Sequence, residues 1–133
     1  MNTRRLFLAL LGAAALSAPL AVTRAHAFVI QPYNEAAAQK AIRSGKPVVI
    51  EVYASWCPIC LAQAASVDAL KDKPAYRDIT YYRVDFDAQK DVVKALDVPR
   101  ATLIAYRGGK EVARQSWGPT QEDVMNVLMK ASQ

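Results

Sequence analysis

The 133 residues carry 17 Lys and Arg against 12 Asp and Glu, for a formal net charge of +5, with two cysteines and one histidine. That is enough chain for one domain and too little for two. The basic residues are scattered among acids and form no run, which reads as a solvated surface and excludes a nucleic-acid-binding stripe.

At the start, Arg4 and Arg5 precede an uncharged run from Leu6 to Val22, and Ala25-His26-Ala27 offers small residues at both cleavage-determining positions. This is the layout of a secretory signal cut between Ala27 and Phe28. Residues 1–27 are therefore expected to be an export signal and residues 28–133 the single mature domain, periplasmic or otherwise exported. The alternative is a retained membrane anchor, for which a 17-residue run containing Gly12 and Pro19 is marginal. The segment "TRRLFL", Thr3 to Leu8, also resembles the twin-arginine export signal, and Arg24 suits that route; two arginines arising by chance in a basic leader is the other reading. Cleavage removes three arginines and no acid, leaving 14 basic and 12 acidic side chains and a net charge of +2. His26, the only histidine, leaves as well. A mature chain without imidazole excludes Cys–His and Ser–His nucleophiles, His-ligated metals and His-ligated haem within one chain.

No repeat, linker or low-complexity tract interrupts the mature chain. Phe28 to Tyr33 suits a short strand. Asn34 is a plausible N-cap for a helix with Ala37, Ala38, Ala41 and Ile42 on one face and Gly45 as its stop. Val48 to Ala54 is a β-branched run suited to a buried strand. A helix is expected from about Pro58 to Leu70, with Leu61, Ala64 and Ala65 at helical spacing. Ile79 to Phe86 reads as the next strand and Ala88 to Leu96 as a short helix. Two strands then flank Gly108-Gly109, a hairpin signal. Gly118-Pro119 breaks the chain, and Thr120 with Asp123 makes a capping box for a last helix through Val124, Val127, Leu128 and Ala131. The order β-α-β-α-β-α-β-β-α predicts an α/β fold with a mixed central sheet covered by helices.

The two cysteines, Cys57 and Cys60, sit between the buried strand and the helix that follows it. Pro58 suits the first helical position, which puts Cys57 at or next to the N-cap, where unpaired N–H groups and the helix dipole favour a thiolate. Cys60 lies one turn on, near enough to attack a mixed disulfide on Cys57. A loop this short removes little unfolded-state entropy, so the spacing suits a reversible redox pair better than a structural staple. The other readings are two packed apolar thiols, a structural disulfide, or half of a zinc or copper site that lacks further strong ligands.

Over nearly the whole mature chain the sequence resembles the thioredoxin family. The resemblance is carried by "VVIEVYASWCPIC", "VDFDAQKDVVKALDVPRATLIAYRGGKEV" and "GPTQEDVMNVLMKA". It implies the thioredoxin fold and a thiol–disulfide oxidoreductase whose only redox group is the Cys57–Cys60 disulfide, with no metal or separate cofactor. With an export signal, the WCxxC form is similar to periplasmic members, some of which relay electrons from membrane reductases to apocytochrome c or other oxidised substrates. The implied partners are protein thiols and disulfides and a membrane thiol reductase as electron donor, for a monomer.

Position by position, the resemblance makes Cys57 the nucleophile and Cys60 the resolving thiol. Trp56 would pack beside the site and limit water access, against ordinary core packing. Glu51 falls where the family places a buried acid beneath the disulfide, where burial would raise its pKa and let it trade a proton with Cys60; the alternative is a solvent-facing strand residue. Arg83 falls near a basic position that pairs with this acid. Between the cysteines, Pro58 and Ile59 offer no charge to hold a thiolate. The family places a cis-proline before Thr-Leu, facing the cysteines, whereas here the segment reads "VPRATL". Ungapped, Ala101 takes that place, and a cis bond there would cost about 2.5–4 kcal/mol; with a local shift, Pro99 takes it. Pro99, Arg100, Ala101 and Thr102 are thus the candidate substrate loop. The absence of an inserted helical or dimerisation domain leans towards a reductant or relay. A disulfide-forming oxidase and a non-catalytic binding module are the alternatives.

Overall fold

The computed structural model describes residues 26–133, so the expected export signal lies outside the described residues apart from His26 and Ala27. Among the described residues no helix is long and apolar enough to cross a membrane. The elements in chain order are β1 (Ile30–Pro32), α1 (Glu35–Arg43), β2 (Val48–Tyr53), α2 (Pro58–Leu70), a 3-10 turn at Pro74–Tyr76, β3 (Thr80–Asp85), α3 (Lys90–Leu96), β4 (Thr102–Arg107), β5 (Lys110–Ser116) and α4 (Gln121–Ser132). The strands form one sheet in the order β1-β3-β2-β4-β5. β3 runs parallel to β1 and β2, while β4 runs antiparallel to β2 and β5. This is the mixed sheet flanked by helices that the order of elements implied.

β2 lies at the centre because both of its faces are apolar. Val49 joins Tyr81, Leu103 and Ala105 on one face, packed against Val67 and Leu70 of α2 and Val124, Val127 and Leu128 of α4. Val48, Ile50 and Val52 join Tyr82 and Val84 on the other, against Ala38 and Ile42 of α1 and Val92, Val93 and Leu96 of α3. Successive side chains of a strand alternate between faces, so Glu51 shares the α2/α4 side with Val49. β1 is shorter than Phe28 to Tyr33, since only three residues find partners on β3; Phe28 instead stacks on the Tyr81 ring at 5.0 Å.

Local signals set the ends of the elements. Asn34 Oδ1 accepts the Ala37 N–H at 2.9 Å. Thr120 and Asp123 form the reciprocal capping box at the start of α4. Gly108 and Gly109 take φ of 58° and 79°, the left-handed pair a tight hairpin requires.

α2 takes the expected bounds, Pro58–Leu70, but its inward face is not the row of Leu61, Ala64 and Ala65. The buried face of α2 is Cys60, Gln63, Ser66, Val67 and Leu70, whereas Leu61 is 48% exposed and Ala65 is exposed too. The helix phase is fixed where α2 leaves the end of β2: with Cys57 as N-cap, Cys60 turns inward and the positions three or four beyond it follow. Leu61 is about 100° round the helix from that direction.

Candidate active site

Three loops meet at the end of β2. Cys57 ends the loop leaving β2, Ala101 ends the loop entering β4, and Trp117 follows β5. The Ala101 N–H donates to Val52 O at 2.8 Å and the Trp117 N–H donates to Ala101 O at 2.7 Å, which locks the second and third loops to the sheet. Ala54, Cys57, Cys60 and Ala101 form a small buried cluster with Tyr53 and Phe86 against it.

Cys57 is the N-cap of α2, with φ −94° and ψ 114°, and Pro58 occupies the first turn. Its Sγ accepts the backbone N–H of Cys60 at 3.3 Å. The sulfurs are not bonded to each other. Burial opposes ionisation of Cys57, but the Cys60 thiol, the Cys60 N–H and the Arg100 guanidinium together outweigh it and lower the thiol's pKa. Cys60 moves the other way, pushed up to about 11 by burial and then by the hydrogen bond and charge of Cys57. Two thiols one turn apart are thus separated into a readily ionised member and a reluctant one. Cys57 is only 2% exposed although its neighbours Trp56 and Ile59 reach solvent.

Glu51 is 0% exposed, which removes the solvent-facing alternative. The register places it opposite Arg83, whose Nε donates to Glu51 Oε2 at 2.6 Å while the guanidinium lies 4.4 Å from the centre of the Tyr53 ring. Burial pushes the Glu51 carboxyl up, and Arg83 recovers only part of that shift. Glu51 Oε1 and the buried Tyr81 hydroxyl have no hydrogen-bond partner but each other. Burial, then the Glu51 charge, push Tyr81 far above the ordinary phenol range.

The candidate substrate loop divides. Ala101 is fully buried against the cysteines, whereas Pro99 is exposed and accepts at its carbonyl from Thr102 Oγ1 at 2.8 Å. Ala101, not a shifted Pro99, therefore faces the thiols. Every peptide bond described is trans, and Ala101 has φ 55°, in the left-handed region. Thr102 is buried and shares a hydrogen bond with Ser116 Oγ at 2.8 Å.

Trp56 is 55% exposed, so it is not a core residue. Its Nε1–H donates to Asp87 Oδ2 at 2.7 Å and its ring meets Phe86 edge to face. Arg100 lies 4.8 Å from the Trp56 ring centre and 5.1 Å from that of Trp117. Sequence reasoning passed over Trp117, Phe86, Asp87 and Gln63. An indole beside the Gly118-Pro119 break was the one available signal for Trp117. Gln63 is buried on α2 and donates to Gly118 O at 3.0 Å, tying α2 to the loop after β5.

Residues 29–131 match the thioredoxin family profile. The chain belongs to the thioredoxin family. It is 33% identical to putative thioredoxin-5 of Dictyostelium discoideum over 103 residues, 75% of this chain and 95% of that one. It is 38% identical to thioredoxin-2 of Saccharomyces cerevisiae over 76 residues, 56% of this chain and 71% of that one. Among solved structures it is similar to Trxlp from Edwardsiella tarda EIB202, with a TM-score of 0.71 and 38% identity, covering 75% of this chain and 98% of that one. The fold is thus the thioredoxin fold, and the protein is a thioredoxin-like thiol–disulfide oxidoreductase. Within the family's pattern, its departure is the left-handed Ala101 where the resemblance places a cis-proline.

Proposed function

We propose that this thioredoxin reduces protein disulfides outside the cytoplasm, with Cys57 as nucleophile and Cys60 as resolving thiol. The observation that carries the reading is Cys57 Sγ at the N-cap of α2, accepting the Cys60 N–H at 3.3 Å. The Cys57 thiolate attacks one sulfur of a substrate disulfide; that S–S bond breaks and the first substrate thiolate leaves and takes a proton. Cys60 then loses its proton, attacks Cys57 Sγ and releases the second substrate thiol. Two electrons pass from the dithiol to the substrate, leaving Cys57–Cys60 as the disulfide, the protein's only redox group. Glu51, whose Oε1 has only the Tyr81 hydroxyl beside it, exchanges the Cys60 proton through a bridging water. Residues 1–27 act as an export signal of the twin-arginine type. A membrane thiol reductase restores the dithiol, and oxidised apocytochrome c is one substrate to try. Trp56, Pro58 and Ile59 border the thiols, and the loop through Arg100 and Ala101 forms the wall that substrate meets. The protein works as a monomer, without nucleic acid or metal.

Insulin reduction driven by dithiothreitol tests the chemistry: Cys57→Ser abolishes the catalysed rate, and equal rates for variant and wild type would remove the enzymatic assignment. Fractionation of cells expressing the chain with and without Arg5→Lys tests export. A second reading, a disulfide-forming oxidase, is favoured by Arg100, because a cation that stabilises the Cys57 thiolate also stabilises the dithiol and so raises the potential. Equilibration against glutathione separates the two: a reductant lies below about −200 mV and an oxidase well above it.

A further inference from the structure

We propose that Arg100 selects protein substrates carrying an acidic residue beside the disulfide cysteine, its guanidinium held between Trp56 and Trp117 as a receptor for that carboxylate. The inference rests on the thiol–disulfide reading of Cys57 and Cys60 and names the substrate class for it.

Four observations carry it. First, Arg100 is pinned: its guanidinium lies within 5.1 Å of two indole ring centres, from loops on opposite sides of the β4 entry. Indole faces attract a cation and restrict its plane without consuming its N–H donors. Second, the charge helps hold the Cys57 thiolate but meets no carboxylate of the described residues. Arg100 enters no ion pair among the described residues, and its Nε is buried without a hydrogen-bond partner. Asp87 accepts the Trp56 N–H and makes no ion pair with Arg100. Third, Arg100 stands at the reacting atom. It adjoins Ala101, which packs on both cysteines, and it is close enough to Cys57 to help hold the thiolate. A residue flanking the attacked cysteine is brought to the same place. Fourth, the loop continues into an apolar groove of about 460 Å³ lined by Phe86, Val93, Val98 and Pro99, with Lys90 and Lys94 against Asp97 as its charged residues. The ground beside Arg100 is therefore apolar with an excess of cations, which complements an acidic-apolar peptide. A guanidinium recognises a carboxylate through paired, charge-assisted hydrogen bonds.

Acetylated, amidated peptides decide it, each with one cysteine in a mixed disulfide with a small neutral thiol and Glu, Gln or Lys as the adjacent residue. With the full chain, kcat/KM is expected to favour Glu over Gln by about two- to tenfold, for a half-buried cation. The ratio cancels any effect of Arg100 on Cys57 itself, since every peptide meets the same thiolate. Arg100→Met brings the Glu/Gln ratio to one, Arg100→Glu inverts it in favour of Lys, and Arg100→Lys keeps part of it. A Glu/Gln ratio near one in the wild type, or one unchanged in Arg100→Met, overturns the proposal. The same peptides are titrated against Cys57→Ser/Cys60→Ser chains with and without Arg100→Met, read by tryptophan fluorescence. If no peptide is turned over by any chain, the thiol chemistry fails while the ratio of Kd values still decides Arg100. Equal Kd values for Glu and Gln peptides overturn the recognition role whatever the turnover shows.

Discussion

Cys60 donates its backbone N–H to Cys57 Sγ at 3.3 Å, so the first turn of α2 both positions one thiol and withholds the other. The two sulfurs face opposite electrostatics. Cys57 gains the N–H, the neighbouring thiol and Arg100, while Cys60 faces burial and the charge of Cys57 and is pushed up to about 11. The rate of iodoacetamide alkylation against pH should therefore show a first inflection at Cys57, below that of an ordinary thiol. Cys60 should stay protected until strongly alkaline pH. In Cys57→Ala the Cys60 inflection should fall below about 11 yet remain above the ordinary value, because burial is its largest cause. Peptide mapping that found both thiols modified at one rate near neutral pH would contradict the division of roles.

Glu51 makes stability depend on pH in a definite sense. Its carboxyl binds a proton more readily in the folded state than in the unfolded chain, because burial outweighs Arg83. The contribution is thus fully present below the unfolded value of about 4.3 and is lost as pH rises through the higher folded pKa. Glu51→Gln removes the buried charge while leaving Arg83 partly open to water. The variant should be more stable than wild type at pH 8, by on the order of 1 kcal/mol. The gap should shrink as pH falls towards 4. Urea denaturation at several pH values measures it, and a variant less stable at pH 8 would mean that the ion pair with Arg83 outweighs desolvation. If Glu51 also moves the Cys60 proton, the same variant slows release of the mixed disulfide, seen as its accumulation during turnover.

The parts of the site that lie close together in sequence were the legible ones. Cys57 and Pro58 announce an N-cap through four residues, and β2 announces itself by composition. Glu51 was half legible: strand alternation says which neighbours share its face, but not that both faces of β2 are covered. The helix phase of α2 was not legible, because apolarity alone does not say which of Leu61 and Gln63 points inward; the start at Cys57 does. Gln63 tolerates burial because it can donate to Gly118 O. The Trp56–Arg100–Trp117 arrangement was beyond reach, since its members come from three loops that only the β2-β4-β5 pairing brings together.

Ala101 tests whether this loop departs from the family's pattern. Its N–H is spent on Val52 O at 2.8 Å, and its φ of 55° is one that alanine pays about 1–2 kcal/mol to adopt. Glycine has no such penalty but loses about 0.5–1 kcal/mol more in backbone entropy. Ala101→Gly should therefore be neutral to about 1 kcal/mol stabilising. Proline cannot reach this φ and has no N–H to donate, so Ala101→Pro should lose about 3 kcal/mol or more. Thermal and urea unfolding measure both. An Ala101→Pro variant more stable than wild type would show that the loop prefers the conformation the resemblance suggested.

Asp87 should separate the order of the site from the stability of the fold. Its carboxylate accepts from Trp56 Nε1 at 2.7 Å, and its own N–H is held by Asp85 Oδ1 at 2.9 Å. Both ends of the Trp56–Asp87 contact are exposed, so water replaces much of what Asp87→Ala removes, and the loss in stability should stay within about 1 kcal/mol. The indole is affected more. Trp56 keeps only its edge contact with Phe86 and the Arg100 guanidinium, a contact between two mobile groups once the anchor is gone. Fluorescence anisotropy of Trp56, read in a Trp117→Phe background, should fall in Asp87→Ala while the unfolding midpoint hardly moves. Asp87→Asn, which still offers a carbonyl oxygen to the indole, should recover most of the anisotropy. A large loss of stability in Asp87→Ala with unchanged anisotropy would instead assign Asp87 to the turn after β3 and leave Trp56 held by packing alone.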